Sequence, residues 1–240
     1  MNKNQNPGDN NKIENAGWDG IQVAQASSDC EIYNNTVYNY GTENKSSQQG
    51  GILVGGNTTG KVYNNFVKKG TGSGMQVFGT GTITIYNNII IEAGEDAIFC
   101  DDRSPSPMTV RFVNNTIVNA STSGIRMYSD ESSGNVAKNN IIVSSRGDYV
   151  HKLNTNVELS ESNNHYTSSL SEVKFTNPPE AEFKLNSGSP VINMGADASI
   201  YGVDKGYYGT SRPSGGKYDI GASEYEGTGS SNHLPTVNAG

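Results

Sequence analysis

Asn-Asn pairs recur along this chain with a period that few architectures accommodate. They begin at Asn10, Asn34, Asn64, Asn87, Asn114, Asn139 and Asn163. The spacings are 24, 30, 23, 27, 25 and 24 residues, a mean of about 25.5. A fixed period of roughly 20 to 50 residues marks a stacked-repeat fold. Each pair sits in one frame: CEIYNNTVYN, GKVYNNFVKK, ITIYNNIIIE, VRFVNNTIVN and NVAKNNIIVS. Apolar residues alternate ahead of the pair, as in Cys30 and Ile32, Ile83 and Ile85, Val110 and Phe112. Such alternation reads as a strand with one buried face. Asn tolerates the left-handed backbone of a sharp corner, and stacked Asn side chains can hydrogen-bond along a ladder. The pairs are expected to hold a turn rather than to carry chemistry.

A second strand set precedes each pair: GWDGIQVAQ, GGILVGG, GSGMQVFG, EDAIFCDD, SGIRMYSD and DYVHKL. It aligns on Ile21, Ile52, Met75, Ile98, Ile125 and Val150. Insertions fall between the two sets, at 43–49 and 103–108. Two or three short strands per repeat, with turns between, make one coil of a parallel β-helix, each coil rising about 4.8 Å. Helix formers are sparse, while Gly (29) and Asn (30) are abundant. Hydrophobic residues are 33% and charged residues only 17%, so the polarity does not come from charge. In these segments the chain resembles right-handed parallel β-helix proteins of the pectate-lyase type, over roughly residues 10–165. The resemblance implies an all-β, single-stranded right-handed parallel β-helix (a solenoid) of about six coils, spanning residues 1–165 with an incomplete first coil.

The ends read differently. Asn10 to Gly17 matches Asn87 to Gly94 in register, so the chain starts partway through a coil and upstream coils are expected. MNKNQNPGDNNK has no apolar core of a signal peptide. Residues 166–227 carry Leu185, Ser189, Pro190, Ile192, Asp204, Arg212, Asp219, Ile220, Gly221, Ala222, Glu224 and Tyr225. This pattern resembles the C-terminal closing segment of secreted bacterial β-helix proteins. It implies a structural cover over the last coil, with Asp204 able to pair with Arg212 and Glu224 to accept from backbone N–H groups. Residues 228–240 read as a Gly/Ser linker, then Pro235, Val237, Ala239 and Gly240. Those four resemble the first strand of an immunoglobulin-like or polycystic-kidney-disease-type domain. The expectation is a monomer within a longer multi-domain chain, secreted or at the cell surface.

Several function classes are excluded. No apolar run approaches the roughly 18 residues of a membrane helix. A net charge of −7 without a Lys/Arg cluster disfavours nucleic acid as a partner. Cys30 and Cys100 fall on inward positions of different strand sets and read as free small hydrophobes.

Candidate chemistry lies on outward positions of the second strand set. One column reads Gln22, Leu53, Gln76, Phe99, Arg126 and His151; the next reads Ala24, Gly55, Phe78, Asp101, Tyr128 and Leu153. Gln76, Phe78, Phe99, Tyr128 and His151 are candidate substrate-binding residues, because aromatic faces among polar groups suit sugar rings. Phe78 and Phe99 have a plainer alternative, packing beneath loops or the closing segment. Lyases of the resembled fold cleave acidic polysaccharides by β-elimination, removing the proton beside a uronate carboxylate whose charge is neutralised. Arg126 and Lys138 are the candidates for base or neutraliser, and Asp101 with Asp102 for a calcium ion. Arg126 can instead simply pair with Asp101 on the neighbouring coil. Asp19, Asp96 and Asp148 precede the same strand and read as backbone caps. The paired calcium carboxylates and the R-x-x-x-x-R pattern of pectate lyases are missing. Polygalacturonases resemble GEDAIFC and GIRMYS, but their N-T-D and G-H-G segments have no counterpart, so a glycoside hydrolase is the weaker alternative. A polysaccharide is thus the expected partner, bound by a lyase or by a non-catalytic binding or adhesion module.

Overall fold

The computed structural model describes residues 10–79, 81–101, 108–128, 130–144 and 146–227. Three parallel sheets form the walls of a solenoid. Sheet one holds Lys12–Glu14, Thr36–Tyr40, Phe66–Gly70, Ile89–Ile91, Thr116–Val118, Ile141–Val143 and His165–Thr167. Sheet two holds Ile21–Ala24, Ile52–Gly55, Met75–Phe78, Ile98–Asp101, Ile125–Met127 and Val150–Lys152. Sheet three holds Cys30–Tyr33, Gly60–Tyr63, Gly81–Tyr86, Met108–Val113, Val136–Lys138 and Ser160–Ser162. Every neighbour within a sheet comes from the adjacent coil, and the sequence alignment of sheet two is its observed register, from Ile21↔Ile52 to Ile125↔Val150.

The Asn pair divides its work between its two members. The first Asn of each pair turns the corner between sheets three and one with φ between 51° and 56°. The second forms a buried ladder. From Asn11 through Asn35, Asn65, Asn88, Asn115 and Asn140 to Asn164, each Nδ2 donates to the Oδ1 of the next coil at 2.9–3.0 Å. A buried amide left without these partners costs about 1–3 kcal/mol, so the ladder locks the register of successive coils. Inward columns such as Val37, Val67, Ile90, Ile117 and Ile142 are fully buried, each side chain worth about 1.5–3 kcal/mol. At the sixth coil these columns turn polar. Lys152 Nζ lies 3.4 Å from Glu161 Oε1, and the Tyr166 hydroxyl donates to Glu161 at 2.8 Å. The last coil therefore closes itself.

The segment after Thr167 lies elsewhere than expected. Instead of covering the last coil, it lies along the outside of sheet one. A short helix (Leu170–Val173) and an antiparallel hairpin (Phe175–Asn177, Glu182–Leu185) bring Val173, Phe175, Phe183, Leu185, Val191 and Ile220 against it. Their counterparts are the outward Ile89, Ile91, Val118, Ile141 and Val143. The corner Asn residues tie the segment down: Asn87, Asn114, Asn139 and Asn163 donate to carbonyls of Lys205, Asp219, Ala196 and Met194. At Gly221 (φ +93°) a Cβ would lie 2.4 Å from Ile141 Cδ1, so only glycine permits the approach.

A buried ion pair centres the segment. Arg212 Nη1 donates to Glu224 Oε2 at 2.8 Å, with both side chains fully buried. Arg212 also donates to the carbonyls of Asp219, Gly221 and Ala222. Glu224 accepts from the backbone N–H groups of Ser214 and Asp219, as expected. The expected side-chain pairing of Asp204 with Arg212 is replaced: the Arg212 backbone N–H donates to the Asp204 carbonyl, and the guanidinium goes to Glu224. Burial pushes the Glu224 carboxyl up and Arg212 opposes it. The linker and the strand-like Pro235, Val237, Ala239 and Gly240 lie outside the described residues. Among the described residues, no helix is long and apolar enough to cross a membrane.

Candidate functional site

Sheet two is the wall that the closing segment leaves open. Strand alternation aims its even positions outward, and the parallel register stacks them coil over coil. Both expected columns form: Gln22, Leu53, Gln76, Phe99, Arg126 and His151 in one, with Phe78 beside Asp101 in the other. Phe78 meets Phe99 edge-to-face at 5.6 Å, Phe99 meets Tyr128 at 5.4 Å, and Tyr128 lies 6.1 Å from the His151 ring. One half-buried ring per coil thus makes a continuous strip across four coils, about three strand spacings or 14 Å long.

The strip carries a cation. Arg126 Nη1 donates to the Tyr128 hydroxyl at 3.0 Å, and its guanidinium lies 5.5 Å from that ring. Its carboxylate partner is Asp96, with Nε and Oδ2 2.8 Å apart, and not Asp101. Burial works against the charge, yet Asp96 and Tyr128 hold the Arg126 pKa above its usual value. Asp96 spans three positions of the aligned frame to reach Arg126, a diagonal that strand spacing does not reveal. As expected of caps, Asp19 Oδ1 accepts from the Gly50 N–H at 2.6 Å and Asp96 Oδ1 from the Ser123 N–H at 3.0 Å. Asp148 instead holds the His151 Nδ1 at 2.9 Å.

At the other end of the strip, the inserted loop overhangs the sheet. Ser46, Ser47 and Gln49 close a groove of 530 Å³ over Gln22, Gln76, Phe78 and Phe99, with Glu95 at its side. Gln76 faces outward as expected but is only 7% exposed beneath that loop. The loop's role was not legible, because its partners lie a coil or more away in sequence.

Lys138 does not join this face. It lies in sheet three, where its Nζ donates to the Asp197 carbonyl at 3.3 Å and sits 5.9 Å from the Tyr201 ring, against the closing segment. Asp101 ends its strand half-buried, and Asp102 and Arg103 lie outside the described residues. Calcium takes about six to eight oxygen ligands. No group of three or more His, Cys, Asp or Glu side chains converges among the described residues, and Asp102 lies outside them. Cys100 is buried and Cys30 half-buried, both as free thiols.

Among solved structures, the crystal structure of pectate lyase Pel9A is similar, with a TM-score of 0.55 at 15% identity. The match covers 90% of this chain and 64% of that one, so the chain spans less than two thirds of its length. At this identity the likeness is one of fold. No curated protein sequence matches significantly. Residues 1–165 match the family described as right handed beta helix region, and with its three parallel walls and asparagine ladder the chain belongs to that family.

Proposed function

We propose that the open face of sheet two binds an extended polysaccharide. The observation that carries this reading is the strip Phe78–Phe99–Tyr128–His151, which runs along the solenoid axis and continues into the groove under the loop. Sugar rings offer apolar faces to aromatic rings and hydroxyl edges to amides and carboxylates. A solenoid wall presents such groups in a line, as a linear polymer requires. A polymer of this kind is met outside the cell, so the reading includes a secreted or cell-surface location. Gel retardation on pectate, alginate and glycosaminoglycans tests it. Retardation by one polymer, lost in Phe99→Ala, supports it; mobility unchanged on every polymer contradicts it.

A second reading makes the same face a lyase acting on an acidic polysaccharide. It is favoured by Arg126, Tyr128 and His151 meeting on one strip. There Arg126 neutralises the uronate carboxylate, a base takes the C5 proton, and the C4–O bond breaks to leave a 4,5-double bond. Ultraviolet absorbance of that unsaturated product decides between the readings. A rise that Arg126→Ala abolishes establishes the lyase, and retardation without a rise leaves the binding module. Hydrolysis would need paired carboxylates, and the groove is lined by Glu95 alone.

A further inference from the structure

The groove under the inserted loop carries a chemistry different from the rest of the strip. Gln76 is 93% buried by its 7% exposure, and its Oε1 has no hydrogen-bond partner. Asp19 Oδ2, two coils before Gln76 and outside the groove lining, is also buried without one. The two side chains converge at Gly50, where an added Cβ would lie 3.2 Å from Gln76 Oε1 and 3.3 Å from Asp19 Oδ1. Buried acceptors are nearly always satisfied in a folded protein, and an unsatisfied one calls for an explanation. Glu95 adds a third acceptor at the groove wall, exposed to solvent. None of the described residues lining the groove is cationic. The cations in the outward columns of this face, Arg126 and His151 when protonated, belong to the fifth and sixth coils. The face is therefore polar along its length, with acceptors at one end and cations at the other.

We propose that the groove is a subsite for a protonated amino sugar, its ammonium donating to Gln76 Oε1 and to the carboxylate of Glu95 while Phe78 and Phe99 receive the ring. An ammonium offers three donors and no acceptor, which matches a lining of acceptors. Its charge is attracted by the Glu95 carboxylate and by the aromatic faces. A uronate carboxylate is repelled from the same place, so the groove also fixes the direction in which a chain of mixed charge lies. This inference rests on the reading of sheet two as a polysaccharide-binding face.

The test compares two probes that share a backbone. Titration calorimetry at pH 5.5 measures binding of a β-1,4-linked glucosamine pentamer and of its fully N-acetylated counterpart. The amine pentamer is expected to bind at least about tenfold tighter. Glu95→Gln, an isosteric change at an exposed side chain, is expected to remove most of that difference; Gln76→Met does the same if thermal melting shows it folded. Equal affinities for the two pentamers, or a difference untouched by Glu95→Gln, overturn the proposal. If the pentamers bind equally while another polymer is retarded through Phe99, the subsite falls and the binding face stands. If no polymer is retarded, both fall.

Discussion

Sheets one and two are built from the same repeat, yet their outer faces have opposite fates. Sheet one shows Ile89, Ile91, Val118, Ile141 and Val143 to the outside and is covered by the closing segment. Sheet two shows Gln22, Gln76, Phe99, Arg126 and His151 and stays open to solvent or to the loop groove. The backbone ladder is alike on both walls, so the difference lies wholly in the outward side chains. An apolar outer column must be covered to gain its burial energy. A mixed aromatic and polar column gains little from a cover and is left to a ligand. In a β-helix, the outward residues thus assign each wall its task.

The largest expected effect comes from the covered wall. Glu224→Ala leaves the buried Arg212 guanidinium without its carboxylate, a loss of about 3–5 kcal/mol. Denaturant unfolding should show it, with the closing segment cut first by protease; an unchanged midpoint would mean that the cover is not held by this pair. Ile141→Ala removes a side chain pinned between coil and cover, and about 2–5 kcal/mol is expected with polymer binding intact. Asn115→Ala breaks the ladder in mid-solenoid and orphans its neighbours' amides, a loss of about 1–3 kcal/mol read from the same unfolding curves. On the open wall the balance reverses. Phe99→Ala is expected to lower polymer affinity roughly tenfold while stability falls by about 1 kcal/mol, the worth of its ring contacts. Equal losses from Ile141→Ala and Phe99→Ala in both measurements would erase the distinction between the walls.

The smallest effect is a pH slope at the end of the covered wall. His165 stands in the outward column of sheet one, beside Ile141, and its Nε2 has no hydrogen-bond partner. Burial holds its pKa below the ordinary 6.5, with Glu172 acting in the other direction. The unfolded chain therefore takes the proton first as pH falls. Stability from neutral His165 is present above pH 6.5 and is lost as pH drops from there toward the lowered folded value. Asp219 and Glu224, whose carboxyls burial holds above their usual range, act in the opposite sense. A shallow fall in melting temperature from pH 7 to pH 5.5, absent in His165→Gln, is expected; an identical slope in both proteins would assign it to another group.

What the sequence made legible follows the range of each interaction. The corner Asn residues announce themselves because a left-handed φ is a local demand. The rungs of sheet two are readable because one insertion-free strand aligns on the next. The cover over sheet one left a trace in Ile89-Ile90-Ile91 and Ile141-Ile142-Val143, where unbroken apolar runs mark strands buried on both faces. That trace tells which wall is covered but not by what. The groove roof, the Asp96–Arg126 pair and the place of Lys138 left none. Each depends on which wall a residue faces and on a loop path between coils, and neither is written in a period of about 25 residues.

The central claim is that the open wall of sheet two is the functional one. Gel retardation of the wild-type chain and of a Phe99→Ala/Tyr128→Ala double variant, run side by side on the same polysaccharide panel, tests it most directly. The account predicts that at least one polymer slows the wild type and does not slow the double variant, while both melt as folded proteins. A double variant retarded as strongly as the wild type would contradict it and place the binding surface on another wall.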